Sequence, residues 1–182
     1  MKRGKCRIAL LLLWLLPASL LAETGENLWL RYVPLNDTLQ SYYGEHIKNL
    51  MVKEDGEVAD AAENEFKMAY AGLTGRALKT VGKPVAGTLV MATVDNPVLK
   101  DFNLSALLSS CGDEGYVIKN FVVKGGSVLV MAANNQAGLL YGTFGLIRMM
   151  QTGDKLDGLE VIETPSYHLR MLNHWDNLNG TV

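Results

Sequence analysis

The sequence is poor in the residues that most often carry chemistry by themselves. Its 182 residues include two cysteines, three histidines and five prolines. One cysteine, Cys6, lies in an N-terminal leader, so the mature chain keeps Cys111 alone and can form no internal disulfide. Cys111, beside Gly112, reads as a small buried apolar residue rather than a nucleophile. His46, His168 and His174 share no metal-ligand spacing, and no metal or cofactor is expected. Long apolar runs are missing too. The longest falls short of the roughly 20 residues that a membrane-spanning helix needs.

That longest run belongs to the leader. Lys2, Arg3, Lys5 and Arg7 form a basic start, Ile8 to Leu16 is apolar, and Pro17 to Ala22 supplies a small-residue end. The pattern predicts a secretory signal peptide over residues 1–22, cleaved after Ala22, and an exported protein, periplasmic or extracellular. Four basic residues leave with it. Of 17 Lys and Arg, 13 then face 19 Asp and Glu, a net charge of −6. Such a balance argues against nucleic acid as a partner, and no membrane attachment is expected after cleavage.

What is present suits an ordinary globular domain, with 48% hydrophobic and 20% charged residues. Leu28 to Leu35 alternates like a strand that ends at Pro34, and Ile47 to Lys53 is a second strand candidate. From Glu57 the period changes. Val58, Ala61, Ala62, Phe66, Ala69 and Leu73 recur at helical steps, so an amphipathic helix is predicted that ends near Gly75 or Thr80. Gly87 to Val94 is a nearly continuous β-prone run, fit for a central strand covered on both faces. Asp95-Asn96-Pro97 caps a short helical stretch, with a second around Leu104 to Ser109. Tyr116 to Val123 and Ser127 to Ala132 form a hairpin across Lys124-Gly125-Gly126.

A helix follows from Gln136 to about Gln151, capped by Asn134 or Asn135 and stopped by Gly153. It carries Gly138, Gly142 and Gly145 on one face, each costing about 1 kcal/mol of helix propensity relative to Ala. Close packing of the helix backbone on a sheet offsets that cost. A dinucleotide-binding turn is the rival, but its glycine spacing is different. Leu156 to Glu163 is one more short strand, and Thr164-Pro165 marks the domain boundary. The whole reads as α+β, one sheet with helices mostly on one face. Nothing in residues 23–153 gathers catalytic groups.

The terminal stretch differs. Arg170 to Gly180 reads Arg-Met-Leu-Asn-His-Trp-Asp-Asn-Leu-Asn-Gly, a dense polar and aromatic run after an apolar start. Together with the glycine-bearing helix after a hairpin, it resembles the family-67 glycoside hydrolases, the α-glucuronidases. The small α+β domain also resembles the one preceding the barrel in β-hexosaminidases. The resemblance implies three parts: a signal peptide (1–22), an N-terminal α+β domain (23–163), and a linker with the first strand of a truncated (β/α)8 barrel (164–182). It implies inverting hydrolysis of the bond that joins glucuronic acid, or its 4-O-methyl ether, to xylo-oligosaccharides. Inversion needs two carboxyl groups roughly 6.5–9.5 Å apart. The family draws these from later barrel strands, so no catalytic residue is expected within these 182. The implied partners are xylan-derived glucuronosyl oligosaccharides and a second copy of the chain, held through a C-terminal helical region not in this sequence.

Barrel sites form at the C-terminal ends of strands, where Asn173, His174, Trp175 and Asp176 would fall. Trp175 is the leading substrate-contact candidate, since an indole offers a flat apolar face and one N–H donor. His174, Asn173 and Asp176 can bond hydroxyls or orient Trp175, and the plainer alternative is that Trp175 plugs the barrel mouth while the polar residues tie down the loop. A reading of a different class is a stand-alone, non-catalytic module that binds glycans or another protein.

Overall fold

The computed structural model describes residues 31–167. Six strands form one sheet in the order β2-β1-β3-β5-β4-β6. They are β1 (Asn49–Val52), β2 (Lys79–Thr80), β3 (Thr88–Thr93), β4 (Tyr116–Val123), β5 (Gly126–Ala133) and β6 (Glu160–Glu163). The helices are α1 (Asp37–His46), α2 (Glu57–Thr74), α3 (Ser105–Ser110) and α4 (Gln136–Thr152), with a 3-10 helix at Pro97–Phe102. Strands β2, β1, β3 and β5 pair in parallel, whereas β4 is antiparallel to both β5 and β6. The predicted α+β class, one sheet with helices mostly on one face, is the architecture found.

Side-chain alternation divides the core between the two faces of the sheet. On one face Val90, Ala92, Val128, Val130, Ala132 and Val117 pack with Leu99, Phe102, Leu104 and Leu108 from the 3-10 helix, α3 and the turn between them. The other face lies under α4, which packs against α2. β3 is buried along nearly its whole length and has a parallel partner on each side, as its continuous apolar run predicts. The hairpin closes through Lys124-Gly125, with Gly125 at φ +90° and Val123 paired to Gly126.

The glycine face of α4 is seated as expected. A Cβ on Gly138 would lie 2.6 Å from the Gly115 carbonyl oxygen and 2.8 Å from the Ala133 Cβ. One on Gly142 would stand 3.1 Å from the Met131 sulfur, and one on Gly145 would collide with the Tyr116 ring. Asn135 caps the helix by accepting the Gly138 N–H at 3.0 Å, and Gly153 ends it in the left-handed conformation at φ +81°.

Three expectations need correction, and two elements, α1 and β2, were not expected. The described part of the first predicted strand, residues 31–35, is not strand; residues 28–30 lie outside the described ones. It leads into α1, whose N-terminus Asn36 caps by accepting the Leu39 N–H at 3.0 Å. That helix escapes a periodicity search because its first turns are polar and its main anchor is one buried ring, Tyr43. In α2 the buried face runs through Ala59, Ala62, Phe66, Ala69, Tyr70 and Leu73, so Val58 and Ala61 point to solvent. Between α2 and β3 sits the two-residue edge strand β2, too short to leave a pattern. The last predicted strand is only Glu160–Glu163, since Leu156 is buried in the preceding turn and its carbonyl accepts from Asn120 at 2.6 Å. The predicted barrel strand lies beyond Tyr167, outside the described residues.

Candidate functional site

Open parallel sheets bind ligands beyond the carboxyl ends of their strands, where the strand order reverses. Here the reversal falls at β1, with β2 on one side and β3 on the other. Glu54 lies two residues past the end of β1, and one carboxylate oxygen accepts the Thr93 N–H at 2.7 Å and the Asn96 side-chain amide at 3.3 Å. The same Asn96 nitrogen donates to the Lys53 carbonyl at 2.5 Å, while its oxygen accepts the Val98 N–H at 3.1 Å. Gln136 donates to the Asp55 carbonyl at 2.8 Å. Asn134, past β5, donates to the Leu108 and Gly112 carbonyls, each at 2.8 Å. Polar side chains that could greet a ligand are spent on the protein's own backbone.

A cleft of about 350 Å³ opens elsewhere, beside the C-terminal half of α4. Tyr141, Phe144 and Arg148 of α4 form one wall, Tyr116 lies against Gly145, and Glu163 and Pro165 form the other side. Burial pushes the Tyr116 hydroxyl up from its ordinary value; the nearby Glu163 charge adds to that, and Arg148 opposes it. The walls are aromatic and apolar and the rim is charged. A wall of this kind can hold an apolar segment or a ring face.

A third cluster joins α1 to the loop before β6. The Tyr42 hydroxyl donates to Asp157 at 2.9 Å and accepts the Leu156 N–H at 2.7 Å. His46 reaches the other Asp157 oxygen at 3.0 Å and the Tyr42 carbonyl at 2.8 Å. The His46 contact, followed by the Tyr42 bond, holds the Asp157 carboxyl below its ordinary value. The Lys155 ammonium stands 4.3 Å from the Tyr42 ring centroid. This network ties two segments together and leaves no nucleophile facing outward. Cys111 is no nucleophile either. It is fully buried, and burial pushes its thiol up, away from the reactive thiolate.

The residues singled out in the sequence, Asn173, His174, Trp175 and Asp176, lie outside the described residues. Among the described residues no group of three His, Cys, Asp or Glu side chains could hold a metal ion. Sequence reading missed the cleft and the Tyr42–His46–Asp157 network. Only the Tyr42/His46 spacing of four residues on α1 hinted at either.

Comparison with known proteins places these features in context. The family model for the N-terminus of glycosyl hydrolase family 67 matches residues 28–146. The chain is 30% identical over 179 residues to alpha-glucuronidase A of Emericella nidulans, covering 94% of this chain and 20% of that protein. It is 29% identical over 185 residues to the alpha-glucuronidase of Hypocrea jecorina, covering 97% of this chain and 21% of that protein. The chain thus spans about a fifth of the length of these curated relatives. The solved GH20 beta-N-acetylhexosaminidase of Streptomyces coelicolor A3(2) is 20% identical with a TM-score of 0.45, covering 66% of this chain and 23% of that one.

Proposed function

This chain belongs to glycosyl hydrolase family 67, whose N-terminal domain it carries, and from that premise we propose that it is the N-terminal part of an exported α-glucuronidase. The observation that carries the proposal is the family match over residues 28–146, joined to relatives named as alpha-glucuronidases along nearly the whole chain. In this reading the complete enzyme removes glucuronic acid or its 4-O-methyl ether from xylan-derived oligosaccharides, with inversion at the sugar. The acid that protonates the leaving oxygen and the base that activates water belong to the rest of the enzyme.

Asn173, His174, Trp175 and Asp176 contribute one wall of the sugar pocket, with the Trp175 indole stacking on a sugar face. In the complete enzyme Trp175→Ala then lowers turnover about 100-fold, in line with loss of substrate positioning. A rate within twofold of the parent would return Trp175 to a packing role. The activity itself is tested on glucuronosyl xylo-oligosaccharides with the protein encoded by the full reading frame. Release of the uronic acid supports the proposal. A reading frame that stops after Val182, with glycan binding and no hydrolysis, would favour a stand-alone binding module instead.

A further inference from the structure

A separate hollow, of about 360 Å³, lies where α1 and α2 end and β1 and β2 begin. Lys48, Arg76 and Lys79 line it, against one carboxylate, Glu45. That grouping is unusual in a chain whose 19 Asp and Glu outnumber its 17 Lys and Arg. Gly75 ends α2 at φ +67°, and the Arg76 side chain then lies across α1 at Gly44, where an added Cβ would collide with the guanidinium. Glycine inside a helix costs about 1 kcal/mol relative to Ala. Here the missing side chain makes room for a charge. Lys48 pairs with Glu45 at 2.8 Å, an exposed contact of the kind that contributes little. Among the described residues no ion pair holds Arg76 or Lys79, and no hydrogen bond engages the Asn49 side chain, which also lines the hollow. Buried Ile47 and Tyr70 form the floor.

We propose that this hollow binds a carboxylate-bearing sugar unit, a uronate carried on an oligosaccharide, at a place separate from the catalytic centre. Arg76 and Lys79 take the carboxylate, and Asn49 takes a hydroxyl. A guanidinium meets a planar carboxylate through two parallel N–H donors, a geometry that a neutral hydroxyl cannot match. Lys79 adds a second positive charge from the start of β2, and the apolar floor accepts the edge of the ring. The choice of a uronate rests on the glucuronidase reading above. Hydrolysis by the full reading-frame product tests that reading, whereas binding by this chain tests the hollow, so the two can fail separately.

Titration calorimetry on the mature chain, residues 23–182, compares a glucuronosyl xylo-oligosaccharide, the same xylo-oligosaccharide without its acid, and inorganic phosphate. The acidic sugar is expected to bind at least ~10-fold tighter than either of the others, and to weaken several-fold between about 0.05 and 0.5 M salt. Arg76→Gln and Lys79→Gln are each expected to lower that affinity about 5-fold, and Glu45→Gln to raise it about twofold. Gly44→Ala keeps every charge but moves the guanidinium off its seat. It is expected to lower the affinity several-fold, with a urea midpoint no lower than the parent's. Equal affinity for the neutral sugar or for phosphate would overturn the proposal, as would binding that survives both Arg76→Gln and Gly44→Ala. Absence of binding in the unaltered chain would overturn it too, and a lowered urea midpoint in Arg76→Gln would then assign the guanidinium to the carbonyl ends of α1 and α2.

Discussion

Two concavities of the same domain are built in opposite ways. At the carboxyl ends of β1 and β3, Glu54 and Asn96 fill the crevice with bonds to the protein's own backbone. Beside α4, Tyr141 and Phe144 leave an apolar wall partly open, at the point where the chain moves on. The first is the place where sheets of this kind bind small molecules, and it is closed. The second is open, with Glu114 and Glu163 among its lining residues. One concavity is thus closed by ties to the backbone, and the other presents an apolar aromatic wall.

The contrast can be tested from both sides. The largest effect is expected at the cleft floor, where Gly145→Val would drive a side chain into the buried Tyr116 ring. Overpacking of that kind costs about 3 kcal/mol, measured as a lower urea midpoint at unchanged slope. Alkaline pH is the next lever, and it acts on the helix layer while sparing the crevice, whose ties involve no tyrosine. The Tyr43 hydroxyl, buried and donating to the Asp154 carbonyl at 2.8 Å, is pushed up to about 12 by desolvation and then by the Asp154 charge. The folded chain therefore keeps a proton that the unfolded chain loses above about pH 10. Stability is fully present below that pH and falls as pH rises through about 12, with Tyr70 and Tyr116 adding in the same direction. Replacing Tyr43 by Phe should flatten that fall in a pH series of denaturant midpoints.

On the crevice side, Glu54→Ala strands the Thr93 N–H and one Asn96 donor bond, at a cost of about 1–2 kcal/mol. A neutral result there would mean that water replaces the carboxylate and that the crevice is less closed than its bonds suggest. Smallest of all, Phe144→Ser at the partly exposed wall should change the domain's own stability by no more than about 0.5 kcal/mol. A large loss would make Phe144 part of the core rather than part of an open wall.

How far the sequence revealed all this follows from how local each signal is. The hairpin, the capped glycine helix and the largely buried β3 were readable because a turn, a cap or a run of a few residues encodes each. The position of α1 was not, since its evidence is one capping Asn36 and one buried Tyr43 whose partners Met149 and Asp154 lie far along the chain. Strand β2 exists only through its pairing with β1 and has no pattern of its own. The closed crevice depends on Glu54 meeting Thr93, and the α1 anchor on His46 meeting Asp157, contacts between residues 39 and 111 positions apart. No spacing rule reaches that far. The stretch from Asn173 to Asp176 could be picked out by composition and resemblance, and it lies outside the described residues.

The central claim is that this domain supports a glucuronidase without performing its chemistry. The most direct test compares the mature chain, residues 23–182, with the full reading-frame product on 4-O-methylglucuronosyl xylo-oligosaccharides, following release of the free uronic acid. Release by the full product alone is the predicted result. Appreciable turnover by the chain of residues 23–182 would contradict it.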